Sequence, residues 1–474
     1  MMAKRLSLRL RIFLFFCLLA VGAVVLAVAA MAFVWARADQ GVSLSQLIAA
    51  CVIFSFLNTG LILGIWLLFD EHVARPIEAL STNLRLRAHS GVDAGLSMQA
   101  AQYLGDLAPA AQALSKASQP PSESTEHTRR LIKERERLTA LLSEIPIGTI
   151  LVNAAKEIVL YDAQAAAILA TIAPPRLGAP LADYFDLTAL PQLRASGTSL
   201  NGAFQLSDVG HHRTFNTRIK ALGEEGDIIF IDYDTSLLSE GETRPLVFDF
   251  DLLEREMTTD AKETKLSDLC FVVFDTETTG LSVETDAIVQ IAAQRVMNGR
   301  LVEGEVFDAY VNPGRAIPAA STRIHGVRDA DVADAPSIEQ VIPDFHHFAK
   351  DAVLVAHNAP FDIGLLRQQE RATGIKWDHP VLDTVLLSAV VFGISQAHSL
   401  DALCQRLAIE IPAQHRHTAL GDAKATAEAL VKLLPLLQGK GIETFGALVQ
   451  ETRKHGRLLK DMNPKQPKRV VQLT

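Results

Sequence analysis

The sequence predicts an α/β fold for the C-terminal half of the chain, with a mixed sheet flanked by helices, set behind two long apolar helices and a smaller α/β segment. Three observations carry this. Two uncharged runs stand near the N-terminus, Ile12 to Trp35 with 24 residues and Leu47 to Phe69 with 23. Apolar runs near 271–274, 287–297, 301–311 and 353–356 alternate with helical patterns near 337–350, 362–373, 384–392, 399–407 and 423–437, the rhythm of strands and helices that share one sheet. Between the apolar runs and this half, Pro/Ser-rich and acidic stretches mark boundaries.

Each uncharged run can cross a hydrocarbon core of about 30 Å, which takes about 20 helical residues. Trp35, Trp66 and Phe69 lie near their ends, where aromatics mark the interface. Lys4, Arg5, Arg9 and Arg11 precede the first run, and the loop 36–46 offers only Arg37 beside Asp39. The positive-inside rule then places the N-terminus, and everything after Phe69, in the cytoplasm. The expectation for residues 1–70 is a transmembrane hairpin (12–35 and 47–69) in the inner membrane, the chain crossing it twice.

Residues 71–118 resemble a HAMP linker. Arg75-Pro76-Ile77-Glu78-Ala79-Leu80 looks like that family's entry motif and Leu104-Gly105-Asp106-Leu107 like the start of its second helix. The resemblance implies a parallel coiled coil and hence a homodimer. Residues 119–139 read as a linker, Gln119-Pro120-Pro121-Ser122, followed by a charged helix. Residues 140–237 resemble a PAS sensor domain, through Ile147 to Val152, Glu157 to Asp162, the small helix Ala163 to Leu169 and later strands at His212 to Leu222 and Asp227 to Tyr233. His211-His212 reads as a surface turn, and no ligand is assigned. An acidic connector fills 238–265.

The chemistry lies further on. Phe271-Val272-Val273-Phe274 reads as a buried strand running into Asp275-Thr276-Glu277-Thr278-Thr279-Gly280. Side chains alternate along a strand, so Asp275 and Glu277 share a face. Two adjacent carboxylates are costly without a cation, and hard divalent ions prefer such oxygen ligands. A second strand, Val353 to Ala356, leads through His357-Asn358-Ala359-Pro360-Phe361 to Asp362. His417 and Asp422 precede a helical stretch from Ala423 to Leu437. Taken singly, Asp362 and Asp422 read better as helix N-caps and His417 as a surface histidine.

Together these segments resemble the DEDDh family of 3′–5′ exonucleases, the group of the epsilon proofreading subunit of bacterial replicative polymerases. The order is Asp-x-Glu, then Asp after His-Asn-x-x-Phe, then His-x-x-x-x-Asp. Ser321 to Val327, with its Ile324-His325-Gly326, looks like the family's substrate loop, and Val381-Leu382-Asp383-Thr384 like its strand end before the next helix. The resemblance covers about 266–440, and no catalytic position departs from the pattern. It implies a ribonuclease-H-like domain in which Asp275, Glu277, Asp362 and Asp422 hold two divalent ions, Mg²⁺ or Mn²⁺, and His417 deprotonates the attacking water. It implies further that Thr278, Thr279, Gly280, Leu281, Ile324 and His325 border the terminal nucleotide, with Asn358 and Phe361 nearby. Asp383 reads as a helix N-cap. Residues 441–474 read as a helix and a basic tail.

Composition sets limits. The net charge is −9, and from Leu266 onward 21 Lys/Arg stand against 25 Asp/Glu. Tight general coating of duplex DNA needs more basic contacts, whereas gripping a few nucleotides at a single-stranded or frayed 3′ end does not. Four cysteines without zinc spacing give neither a structural zinc site nor a disulfide framework. The expected partners are a nucleic-acid 3′ end, with DNA favoured over RNA, and the membrane. Two spans argue against a place in a replicative polymerase. The alternative is a signal-sensing membrane protein whose nuclease fold acts on RNA or only binds nucleic acid.

Overall fold

The structure, a computed structural model, describes residues 8–37, 44–74, 77, 147–188, 204–223, 226–232, 246–253, 263–412 and 416–464. The HAMP-like segment beyond its first residues, the linker and charged helix, much of the acidic connector and the basic tail lie outside the described residues. The chain forms two compact units, 1–119 and 120–474.

The first unit holds helices α1 (Leu8–Arg37) and α2 (Leu44–Phe69), with α2 running into a π-helical turn, Asp70–Ala74. They pack antiparallel through Phe13 against Trp66 and Phe16 against Phe69. Among the described residues one stretch is long and apolar enough to cross a membrane, Cys51–Phe69, with mean hydropathy 2.1. Within α1, which covers the expected span 12–35, the apolar stretch among the described residues is Phe13–Ala29.

The second unit contains two sheets. In the first, β1 (Ile147–Val152), β2 (Ile158–Tyr161), β3 (Phe204–Ser207), β4 (Thr214–Ala221), β5 (Asp227–Asp232) and β6 (Val247–Phe248) lie in the order β3-β4-β5-β1-β2-β6. Helix α3 (Ala163–Ala170) follows β2, and Asp162 caps it by accepting from the Ala165 N–H. Every pairing in this sheet is antiparallel.

The second sheet is mixed, as expected. Its strands β7 (Cys270–Thr278), β8 (Ile288–Met297), β9 (Arg300–Tyr310), β10 (Val353–Ala356) and β11 (Val381–Asp383) lie in the order β11-β10-β7-β8-β9. β10 runs parallel to β7 and β11, while β7, β8 and β9 form an antiparallel meander. Helices α4 (Ala319–His325), α5 (Ile338–Ala349), α6 (Ala359–Gln368), α7 (Thr384–Phe392), α8 (Leu400–Leu407), α9 (Ala419–Gln438) and α10 (Phe445–Arg453) surround it. Each residue of β8 is buried, because one face of the sheet lies under α9 and the other under α5. On the α5 side Phe274, Phe307, Phe345, Phe348 and Trp377 stack at centroid distances of 5.3–5.7 Å. Helix α9 approaches closely because its inner face is built from Ala423, Ala427 and Leu430, all fully buried.

Two helix starts differ from expectation. α6 begins at Ala359 behind Asn358, and α9 begins at Ala419 behind Thr418, whose hydroxyl caps the Gly421 N–H. Asp362 and Asp422 therefore sit inside the first turns rather than at the caps. Their carboxylates are released from capping, and each first turn favours negative charge.

Candidate active site

Asp275 and Glu277 end β7, paired with Ala292 and Gln290 of β8. Opposite residues in an antiparallel pair point to the same face, and this is the face covered by α9. There Asp422 joins them. One carboxylate oxygen from each of Asp275, Glu277 and Asp422 lies within 4.8 Å of the others. Asp362 reaches the same place from α6. Its Oδ1 accepts from the Thr276 hydroxyl at 2.6 Å and from the Thr276 N–H at 3.2 Å.

The electrostatics are those of crowded acids. Burial pushes the Asp275 carboxyl well above the usual carboxylate range, and Asp362, Glu277 and Asp422 push it further. Glu277 is pushed up to about 8 by burial and then by Asp422 and Asp362. Asp362 is pushed up to about 7 by burial, against the pull of the Thr276 hydrogen bonds. Asp422 is raised by burial and lowered by the ring and backbone N–H of His417. Among the described residues no Lys or Arg forms an ion pair with any of the four. An all-oxygen, negatively charged, partly accessible set of this kind fits a hard divalent cation.

His417 is exposed on the turn entering α9, in the left-handed region at φ 56°. Asn358, beside the α6 start, is left-handed too, at φ 71°. Non-glycine residues held there cluster at functional sites. The remaining substrate-border residues divide by exposure. Leu281 is 90% exposed and Ile324 is 64% exposed, whereas Thr278 and Thr279 are buried. Gly280 makes a close approach, since a Cβ there would lie 2.5 Å from Asp286 Oδ2. Asp286 in turn accepts from the Thr279 hydroxyl and the Ser282 N–H.

His325 is buried, and both ring nitrogens are engaged. Nδ1 accepts from the Val327 N–H at 3.1 Å, which leaves Nε2 to donate to the Thr278 carbonyl at 3.2 Å. The ring ties α4 to the end of β7, so it borders the site by positioning Ile324. Phe361 is half-buried and packs against the core, and Asn358 is exposed.

Two residues outside the expected catalytic set hold Asp362 in place. Thr276 clamps its carboxylate directly. Asp383, an N-cap as expected, does more: Oδ1 accepts from the Val385 N–H of α7 at 2.7 Å, while Oδ2 accepts from the Ala359 N–H at 2.6 Å. It thus caps α6 from a neighbouring strand, where Asn358 makes no side-chain cap of its own. Replacing Thr276 by Val is expected to lower kcat about 10- to 100-fold, the usual cost of losing a hydrogen bond behind a metal-binding carboxylate. Thr276→Ser, which keeps the hydroxyl, restores most of it in steady-state assays. Equal activity in the Val and wild-type proteins would remove Thr276 from the site.

Carboxylates converging at a strand end, with a histidine on the adjoining helix turn, define a nuclease of the exonuclease class, and the RNase T exonuclease family matches residues 272–430. The chain belongs to the family of the DNA polymerase III subunit epsilon-like protein of Rhodobacter capsulatus, with which it shares 34% identity over 700 aligned positions, 97% of this chain and 99% of that one. The PolC-type DNA polymerase III of Caldanaerobacter subterraneus subsp. tengcongensis is 42% identical over 178 residues, 38% of this chain and 12% of that one. Among solved structures, exonuclease X in complex with 5′-overhanging duplex DNA matches with 29% identity and a TM-score of 0.31, over 38% of this chain and 99% of that one. E. coli exonuclease I in complex with a dT13 oligonucleotide matches with 19% identity and a TM-score of 0.33, over 36% of this chain and 42% of that one. The domain is a 3′–5′ exonuclease, a hydrolase of phosphodiester bonds.

Proposed function

We propose that this chain is a membrane-anchored DNA exonuclease that trims single-stranded or frayed 3′ ends, releasing nucleoside 5′-monophosphates. The observation that carries it is the convergence of Asp275, Glu277 and Asp422 oxygens within 4.8 Å, with Asp362 beside them. These four residues would hold two divalent ions, Mg²⁺ or Mn²⁺, which when bound stabilise the attacking and leaving oxygens of an in-line displacement. His417, on the exposed rim, takes a proton from the attacking water. Leu281 and Ile324, both exposed, offer apolar edges to the terminal base. DNA is the favoured substrate because the full-length and partial relatives are named for DNA polymerase III.

Anchoring is supported by the Cys51–Phe69 stretch and by the basic residues before α1. Regulation by a PAS-like domain is supported by the antiparallel order β3-β4-β5-β1-β2, with a helix leaving β2. The HAMP-like reading of 71–118, and the homodimer it implies, rest on sequence.

The deciding experiment offers 5′-labelled single-stranded DNA, duplex DNA and RNA to the full chain in detergent, with Mg²⁺, Mn²⁺ or EDTA. The expected result is a ladder of products shortened from the 3′ end of single-stranded DNA, abolished by EDTA. Shortening that persists in EDTA would sink the metal assignment, and faster trimming of RNA would reverse the substrate preference.

A further inference from the structure

The end of the nuclease sheet remote from Asp275 carries a second built feature. Between the pairs Gln294↔Val306 and Val296↔Leu301, β8 advances by two residues while β9 advances by five. The extra residues form a bulge, turned by Gly304 at φ 94°. Gln294, buried, stitches it by donating to the Val302 and Glu305 carbonyls at 2.9 and 3.2 Å. Bulges re-aim side chains, and here the bulge turns Glu305 inward, where it is 1% exposed. Its Oε2 lies 2.8 Å from Arg295 Nε of β8. That approach is off-line, and neither atom makes a well-directed hydrogen bond.

Residues before the nuclease complete the pair. Glu305 Oε1 accepts from the Tyr161 hydroxyl at 2.9 Å and from the Leu177 N–H. The Leu177 carbonyl in turn accepts from Arg295 Nη2 at 3.1 Å. One backbone unit of the N-terminal α/β domain thus engages both charges. Around it, Arg176, 1% exposed, holds Asp183 at 2.7 Å and donates to the Lys350 carbonyl, and Lys350 Nζ returns to Asp183 at 2.9 Å. Asn298 donates to Asp249 at 2.6 Å. A single buried apolar cluster runs through both sheets.

A buried ion pair adds little stability by itself, and its best-attested use is to fix one arrangement over others. Here the strand it fixes is β8. The same strand that carries Arg295 also carries Gln290 and Ala292, the partners of Glu277 and Asp275, about 10 to 17 Å further along. We propose that the bulge around Glu305 is a docking surface for the chain's own N-terminal α/β domain, and that docking holds β8 in the arrangement that keeps Asp275 and Glu277 side by side. Tyr161 and Leu177 are then positioning residues for a site they never touch. This rests on the nuclease reading and adds how the preceding domain governs it: the docked chain is the active one, and undocking loosens the catalytic end.

The test uses the full chain with Tyr161→Phe, which keeps the ring, and Tyr161→Phe combined with Arg176→Ala. Trimming of single-stranded DNA and backbone hydrogen exchange are both measured. The expected result is a kcat about 5- to 10-fold lower in the double variant, the usual scale of coupling between sites, with KM changed less than twofold and the single variant between. Amides of 275–278 and 288–292 exchange faster together with Leu177. Faster exchange at Leu177 with unchanged exchange at 275–278 and 288–292 would overturn the proposal, as would a gain in kcat. If the wild-type chain trims nothing, the nuclease reading fails by itself, and the exchange data still decide the coupling.

Discussion

Replacing Asp275 by Asn is expected to abolish trimming and, in the metal-free protein, to raise the melting temperature. Both effects have one cause. Asp275 is held next to Glu277, Asp362 and Asp422, and burial and these neighbours raise its carboxyl well above the ordinary range. Asparagine keeps the shape and removes a charge and a strong ligand. Losing several kcal/mol of transition-state stabilisation lowers kcat by about 10³ or more. Relief of repulsion shifts Tm upward by about 2–4 °C per kcal/mol for a domain of this size.

The pH dependence follows from the direction of the shifts. A carboxyl raised in the folded state contributes its stability below its ordinary value and loses it as pH rises through the raised one. With Glu277 raised from 4.5 to about 8 and Asp362 from 3.8 to about 7, the metal-free wild type loses stability as pH climbs from about 4 to about 8. Mg²⁺ flattens that fall, and Asp275→Asn makes it shallower without metal. Differential scanning fluorimetry in EDTA and in Mg²⁺ across this range measures it. A melting temperature indifferent to both pH and metal would mean that the four carboxylates do not act as one cluster.

His417→Ala is expected to separate binding from chemistry. The residue is exposed on the turn before α9, and its backbone N–H and ring both lower the Asp422 carboxyl. Truncation removes the ring and leaves the turn, so Mn²⁺ binding followed by electron paramagnetic resonance stays close to wild type. Loss of a positioned general base costs about 10²- to 10⁴-fold in kcat, and added imidazole recovers part of it. A fall in Mn²⁺ affinity that matches the fall in rate would instead make His417 a support for Asp422 and not the base.

Much of this site was legible in one sequence because its parts obey local rules. Period-two alternation put Asp275 and Glu277 on one face, and the turns entering two helices brought Asp362 and Asp422 forward. The caps were misplaced for a physical reason. Asp is a good N-cap, so Asp362 and Asp422 read as caps, whereas Asn358 and Thr418 occupy those positions. Thr276 was hidden by the same alternation that revealed its neighbours: on the opposite face of β7, its hydroxyl meets a residue 86 positions away. Asp383 signalled its own helix but not the second helix it caps. The Glu305 bulge left only Gly304 as a local mark, since an irregular register depends on what lies across the strand.

The Tyr161–Glu305 bond joins residues 144 positions apart. β6, the last strand of the first sheet, is at Val247–Phe248, and Glu305 follows it by more than fifty residues. During synthesis the N-terminal α/β domain therefore leaves the ribosome before Glu305 exists, and waits for β9 before its buried tyrosine finds that partner. Closing so long a loop is an entropic cost met late. The nascent chain must keep Tyr161 and Leu177 from other partners in the meantime. Substitutions at this seam should accordingly register first in the yield of soluble chain, before any change in the finished enzyme.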